Sequence, residues 1–204
     1  MHTALITTAA VLGFLAFFEP CTIATHTLFA ARIHHDSPKQ RMLALAVLML
    51  ARTCLLALIF AAAAAIGLTT ISRVATMLML GIIGLVYLVT RKVYLPVPHL
   101  EFYRFIPRHH NLSPGLKLGL TLPACTLPLV LIVGVLSALV RQPAVAALAG
   151  FVFSAMFTLP TLLGSAHGLG SVARNFLGKA ASLSPYITTS LMWGAAFLVW
   201  QTGI

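Results

Sequence analysis

Charged side chains are scarce in this sequence. Only 8% of the 204 residues are Asp, Glu, Lys or Arg, whereas 60% are hydrophobic. A soluble globular domain usually carries about 25% charged residues, and a soluble chain with far fewer could not cover its surface with groups that water solvates. The composition therefore excludes an ordinary soluble protein and favours one whose surface faces lipid.

Cysteines and nucleotide-binding motifs are also lacking. The three cysteines, Cys21, Cys54 and Cys125, are too few for the disulfide framework of a small secreted protein. The sequence contains neither a Walker loop nor a Rossmann fingerprint, and we expect no bound cofactor. No Lys or Arg precedes the first apolar run, and no clear cleavage site follows it. We therefore expect this run to be a retained span and not a signal peptide.

The hydrophobic residues form six runs, each close to or above the roughly 20 residues that cross a bilayer as a helix. These runs predict an all-α polytopic membrane protein with six transmembrane helices. They also divide the chain into a first three-helix half (1–95), a connector (96–115) and a second three-helix half (116–204). The runs cover approximately residues 4–31, 43–68, 73–95, 116–140, 145–168 and 183–203.

The basic residues lie mainly between the apolar runs. A net charge of +10 would suggest nucleic acid as the partner of a soluble protein. Here the first, third and fifth connecting regions hold ten Lys and Arg residues, and the second and fourth hold two. The positive-inside rule explains this alternation. It predicts cytoplasmic odd connectors, both termini outside and no nucleic-acid partner.

Proline and cysteine occur together inside two of the runs. The first span contains the segment from Glu19 to Ile23, and the fourth contains the segment from Pro123 to Pro128. Each of these spans opens one half of the chain. Inverted three-helix repeats with broken helices are a recurring membrane design. We therefore predict two inverted repeats whose first helices are broken at Pro20-Cys21 and around Cys125.

A count along the helices predicts one depth for these cysteines. Cys21 lies about ten residues from the cytoplasmic end of its run, and Cys125 lies about nine. At 1.5 Å per residue both would be roughly 14–15 Å deep, near the middle of a ~30 Å hydrocarbon layer. Arg52, Cys54 and Pro160 reach a similar depth. Equal depth is necessary for a disulfide, but not sufficient.

Two functions remain open for the cysteines from the residues alone. Nearby prolines can open a helix, admit water and leave backbone N–H groups free to stabilise a thiolate, the reactive form of cysteine. Alternatively, the prolines serve packing and the cysteines fill space as small buried hydrophobic residues. For Cys54 alone, space filling is the preferred interpretation.

Three further polar residues lie within the apolar runs. Glu19 and Arg52 are intramembrane charges at similar depth on neighbouring spans, which predicts an ion pair. This pair would be a structural lock, or Glu19 would also exchange protons with a cysteine. His26 follows Cys21 by five residues, about 140° around a regular helix, and so faces another direction. An alternative hypothesis makes Cys21, Cys125 and His26 ligands of a thiophilic metal ion.

The segments Pro20-Cys21 and Cys125-Thr126-Leu127-Pro128 resemble the motifs of the CcdA family and of the DsbD membrane domain. The resemblance implies a thiol–disulfide electron carrier of the cytochrome c biogenesis type in a bacterial inner membrane. Cys21 and Cys125 would be the redox pair. From the prolines and the intramembrane charges themselves, we expect Pro20, Pro123, Pro128, Glu19, Arg52 and Pro160 to support this pair.

The resemblance also implies two partners. Cytoplasmic thioredoxin would donate the electrons, and an extracytoplasmic thioredoxin-like protein would accept them. A rival hypothesis is a transporter of a thiophilic metal ion or a small thiol compound on the same scaffold. A structural assembly subunit is a third.

Overall fold

The computed structural model describes residues 2–67, 73–90, 100–106 and 112–167, together with 179, 183, 186–194, 196 and 197. The chain is mostly helical. The α-helices are α1 (His2–Phe17), α2 (Pro20–Ile33), α3 (Pro38–Ile66), α4 (Arg73–Thr90), α5 (Pro114–Gly119), α6 (Leu127–Val140) and α7 (Pro143–His167). Residues 186–194 are also helical. The remaining elements are strands β1 (Leu100–Glu101) and β2 (Thr121–Leu122), and 3-10 turns at Phe102–Phe105 and Ala124–Thr126.

Some of these helices are long and apolar enough to cross a membrane. Within the described residues two qualify, Pro38–Ile66 and Pro143–Leu162. A third crossing results if the bent pair His2–Phe17 and Cys21–Ile33 forms one span. These lengths are consistent with a membrane protein. The six crossings, the inverted repeats and the division into halves stay predictions.

The chain is interrupted at both of the predicted Pro/Cys segments. The α1 and α2 axes meet at 69°. Glu19 between them is extended, and Pro20 begins α2, because proline lacks the N–H that an interior helical position needs but fits the first turn. In the second segment α5 ends at Gly119, an extended stretch and a 3-10 turn follow, and α6 begins with Pro128 in its first turn.

A short strand pair modifies the predicted all-α architecture. β1, from the predicted connector (96–115), lies antiparallel to β2, with Leu100 opposite Leu122. The Phe102 N–H then donates to the Leu120 carbonyl at 3.0 Å. Interrupting a helix leaves backbone groups unpaired, and burying them unpaired is costly. The connector supplies such partners through β1 and Phe102, so it does more than join the two predicted halves.

The core lies between α1, α3 and α7. Helix α7 packs against both of the others, and Phe60, Phe153 and Phe157 are fully buried at their contact. Glycines permit the close approach: a Cβ on Gly150 would lie 2.7 Å from the Cα of Ala57. The outward faces carry exposed apolar side chains, as expected of helices in lipid. Examples are Leu43, Leu50, Leu58, Leu148 and Phe151.

Candidate functional site

Cys21 and Cys125 form a disulfide that joins the two interrupted segments. Cys21 lies in the first turn of α2, and Cys125 lies in the 3-10 turn that leads into α6. Their Cα atoms are 6.6 Å apart, within the range that a disulfide can bridge. The two residues are 104 positions apart in sequence. The tertiary fold therefore brings together the two cysteines that lie beside prolines.

The depth count that suggested this pairing used the wrong local geometry for Cys125. The count assumed a helical rise throughout the fourth run. Between Pro114 and Cys125 only Pro114–Gly119 is α-helical, and β2 and the 3-10 turn follow. An extended residue advances about 3.3 Å and a helical one only 1.5 Å. The pairing thus depends on the contact between α2 and the 3-10 turn, and not on matching helical positions.

The two sulfur-bearing residues differ in exposure. Cys125 is buried, with 8% of its surface exposed, whereas Cys21 is partly exposed. Thr126 fixes the turn that carries Cys125, since both its side-chain hydroxyl and its N–H donate to the Pro123 carbonyl, at 2.8 and 3.0 Å. The turn that holds Cys125 is therefore braced from within, and Cys21 is the more accessible member of the pair.

Glu19 is fully buried next to Pro20, and the structure brings it to a residue other than the predicted one. Its Oε1 accepts a hydrogen bond of 2.7 Å from the Thr188 hydroxyl. The predicted ion pair with Arg52 is wrong: no contact of 4 Å or less joins these two described side chains, whereas Glu101 does pair with Arg104 in the connector. Glu19 precedes the first turn of α2, whereas His26, the α2 residue that meets Arg52, lies seven residues further on, about two helical turns away.

Arg52 is the centre of a second buried cluster. Its Nη1 lies 2.9 Å from His26 Nε2, and its Nη2 donates to the Leu118 carbonyl at 3.0 Å. Its guanidinium carbon is 4.4 Å from the centroid of the Phe157 ring. Cation–π contacts of this kind contribute up to about 2 kcal/mol or more when water is excluded. A neutral acceptor, a carbonyl and an aromatic face thus stabilise a cation that has no surface exposure.

The contacts of His26 determine its protonation state. A guanidinium can only donate, so His26 Nε2 must accept from Arg52, which makes the imidazole neutral with its proton on Nδ1. That Nδ1–H then donates to the Thr161 hydroxyl. Both ring nitrogens of His26 therefore have hydrogen-bond partners. His26 lies with Thr22 and Phe29 on the buried side of α2, whereas Cys21 does not lie on that side. No group of three His, Cys, Asp or Glu residues suited to a metal occurs among the described residues.

The remaining candidate residues lie apart from the disulfide. Cys54 is a free thiol on the exposed side of α3, so the prediction that it fills space as a buried side chain is wrong. Its neighbour Thr53 bonds to Ser154 of α7. Pro160 lies inside α7, where the adjacent Thr161, and not Pro160 itself, makes the polar contact with His26.

Sequence reasoning missed three residues of these clusters, namely Thr161, Thr188 and Phe157. Single threonines and phenylalanines are common in apolar runs, so nothing in their local pattern distinguishes them. Their roles depend on which helices meet, and only the fold determines that.

Comparison with known proteins adds no identification. No protein-family model, no curated protein and no solved structure matches the chain. The functional conclusion therefore depends on the residues and on the geometry that joins Cys21 to Cys125.

Proposed function

We propose that this protein carries reducing equivalents across a bacterial-type cytoplasmic membrane by thiol–disulfide exchange at Cys21 and Cys125. The observation that carries the proposal is the disulfide between two interrupted helical segments. A structural disulfide needs no helix interruption beside each cysteine. An exchanging disulfide does, because a partner thiolate must reach a sulfur atom that an unbroken helix packed in lipid would shield.

The exchange begins with reduced thioredoxin on the cytoplasmic side. Its thiolate attacks the sulfur of Cys21, the Cys21–Cys125 bond breaks, and Cys125 leaves as a thiolate that takes up a proton. The second thioredoxin thiolate then attacks the mixed disulfide and releases Cys21, which also takes up a proton. Thioredoxin is now a disulfide and the chain holds two thiols, so two electrons have been transferred.

The outer half of the cycle is the same chemistry in reverse. The Cys21 thiolate attacks the disulfide of an extracytoplasmic thioredoxin-like protein, and Cys125 resolves the mixed disulfide, so the Cys21–Cys125 bond forms again. Thioredoxin has a potential of about −270 mV, so transfer to a more oxidising exterior is downhill. The cycle needs no nucleotide and no bound cofactor.

We assign the exchange to Cys21 because of its accessibility and its place on α2. Cys21 is partly exposed, whereas Cys125 is buried. Cys21 also lies in the first turn of α2, where the Glu19 side chain makes no capping hydrogen bond. Amide groups at a helix N-terminus lack intrahelical partners and favour a nearby negative charge. A thiolate on Cys21 is therefore stabilised where a partner protein can approach it.

The charge pattern supports an orientation for the cycle. The odd connectors hold most of the basic residues, which favours cytoplasmic odd connectors and outside termini. The β1–β2 pair joins the third connector to the segment just before Cys125. Access from the cytoplasm would thus pass this strand pair, and movement of the two halves would open the site to each side in turn.

The geometry gives less support to the metal or small-thiol transporter. The two sulfur atoms are bonded to each other, and a disulfide sulfur is not the thiolate that binds soft metals. His26, the third ligand of that hypothesis, has both ring nitrogens occupied by Arg52 and Thr161.

The test measures the redox state of the cysteines in the full-length chain reconstituted in liposomes. Reduced thioredoxin should add two alkylation sites per chain, on Cys21 and Cys125, whereas Cys54 should be alkylated with or without thioredoxin. Cys21→Ser and Cys125→Ser should each abolish electron transfer to an enclosed disulfide substrate. Cys54→Ser is the matched control and should retain most of the activity.

A trapping experiment tests the assignment of Cys21. A thioredoxin variant that lacks its resolving cysteine is activated as a mixed disulfide with thionitrobenzoate, which supplies the leaving group. The Cys125→Ser variant should capture it through Cys21, and the Cys21→Ser variant should capture far less. Full transfer activity in either serine variant would end the carrier hypothesis. Capture mainly by the Cys21→Ser variant would reverse the assignment but leave the carrier intact.

A further inference from the structure

One buried side chain contacts both segments that carry the redox cysteines. Arg52 lies on α3, which has no interruption and carries neither Cys21 nor Cys125. Its Nη1 reaches His26, five residues after Cys21 on α2, and its Nη2 reaches the carbonyl of Leu118, seven residues before Cys125. The two NH2 groups of one planar guanidinium therefore connect the segment that carries Cys21 and the segment that carries Cys125 to the same helix, α3.

The contact of Arg52 with Leu118 lies at the C-terminal end of α5. Leu118 is next to the end of α5, a helix of only six residues, and its carbonyl accepts from Arg52 at that end. A cation at a helix C-terminus is electrostatically favourable. Helix α5 also lies close to α3, since a Cβ on Gly119 would be 2.7 Å from the Cβ of Ala51. Arg52 thus fixes α5 at the point where the helix stops.

The contact with His26 fixes α2 in the same way. His26 is 2% exposed and is held on its other side by Thr161 of α7. Rotation or withdrawal of α2 would separate Nε2 from the guanidinium and leave a buried donor unpaired, which is unfavourable in a medium without water. The orientation of α2, and with it the position of Cys21, is therefore coupled to Arg52.

We propose that Arg52 is the positioning residue of the redox pair. By binding α2 through His26 and α5 through Leu118, it holds Cys21 opposite Cys125 and so sets how readily their disulfide is reduced. This inference rests on the proposed carrier function. Its physical basis is effective concentration: a structure that keeps two thiols aligned favours the disulfide, and a structure that lets them separate favours the dithiol.

The test is a redox equilibrium of the Cys21–Cys125 pair. The full-length chain with Cys54→Ser is equilibrated in nanodiscs with mixtures of reduced and oxidised dithiothreitol, and the thiols are counted by alkylation and mass spectrometry. Arg52→Met keeps an unbranched stem but removes the guanidinium, and with it both contacts. It should make the disulfide about tenfold easier to reduce, which is about 30 mV for a two-electron couple.

Two further variants separate positioning from general stability. Thr53→Val is the matched control. Thr53 is the next residue of α3, and its hydroxyl donates to Ser154 of α7. Removing this hydrogen bond should change the redox equilibrium less than twofold. Arg52→Lys keeps the charge, but a single ammonium cannot span both partners as the fork does, so its shift should be intermediate.

Several results would overturn the inference. A wild-type equilibrium in Arg52→Met, or an equal shift in Thr53→Val, would show that Arg52 does not position the pair. If Arg52→Met does not fold, His26→Phe removes the contacts of α2 with Arg52 and Thr161 and leaves the Leu118 contact in place. An unchanged equilibrium in that variant would also refute the inference. A parent pair that cannot be reduced and reoxidised reversibly would instead refute the proposed function, so the two failures are distinguishable.

Discussion

Alanine substitutions at two helical glycines provide a direct test of the packing between α3 and α7. Gly150 and Gly134 both lie inside α-helices, where exchanging glycine for alanine favours the helix by about 0.5–1 kcal/mol. Their surroundings differ. A Cβ on Gly150 would lie 2.7 Å from the Cα and N of Ala57, whereas around Gly134 no heavy atom of the described residues comes within 4 Å.

The magnitude follows from the atoms that a new methyl group would meet. Those near Gly150 belong to the backbone of α3, so no side chain can rotate away and α7 itself must move. Overpacking of this kind costs about 1–3 kcal/mol. The gain in helix propensity is common to both variants and cancels in the comparison. We therefore expect Gly150→Ala to be less stable than Gly134→Ala by about 1–3 kcal/mol.

The measurement is unfolding of the purified protein by sodium dodecyl sulfate in mixed micelles, followed by the fluorescence of the two tryptophans. The unfolding midpoint of Gly134→Ala should equal or exceed that of the parent protein, and the midpoint of Gly150→Ala should fall. If the two variants unfold together, α3 and α7 are not in the close contact described here. The same result would also argue against the contact between Thr161 of α7 and His26.

Two further predictions concern topology and charge. Reporters fused within residues 96–115 should show a cytoplasmic location, because the basic residues of this connector favour that side of the membrane. A reporter that shows an extracytoplasmic location would contradict the predicted orientation. In a double-mutant cycle, the losses of unfolding free energy from Glu19→Gln and Arg52→Met should add within about 0.3–0.5 kcal/mol. The reason is that Glu19 accepts from Thr188, whereas Arg52 meets His26 and Leu118. A coupling above about 1 kcal/mol would restore the ion pair that the sequence suggested.

The cysteine pair was accessible to sequence reasoning because its signals are local. Proline beside cysteine in two separate apolar runs predicts interruption of a helix wherever the run folds, since the missing N–H is a property of the residue itself. Cys54 has no such neighbour and lies on an exposed face. The route to the pairing was nevertheless wrong in its details, because an extended strand and a 3-10 turn stand where a continuous helix was counted.

The connector shows why local composition did not suffice for the second segment. The sequence predicts only a connector at residues 96–115 and helices throughout the apolar runs. A two-residue strand carries too little sequence pattern to be recognised. β1 forms because the interrupted segment between α5 and α6 offers unpaired backbone groups, and that need exists only once the chain has folded.

Composition and spacing by themselves determined that this chain is helical and apolar enough for a membrane, and where two of its helices are interrupted. These properties follow from run length and from the chemistry of proline, which do not depend on distant residues. Only the tertiary structure decided that Arg52 meets His26 and Leu118, and that Glu19 meets Thr188. Such partners depend on helix rotation and on the 69° bend after α1, and a single sequence does not encode these in any local pattern.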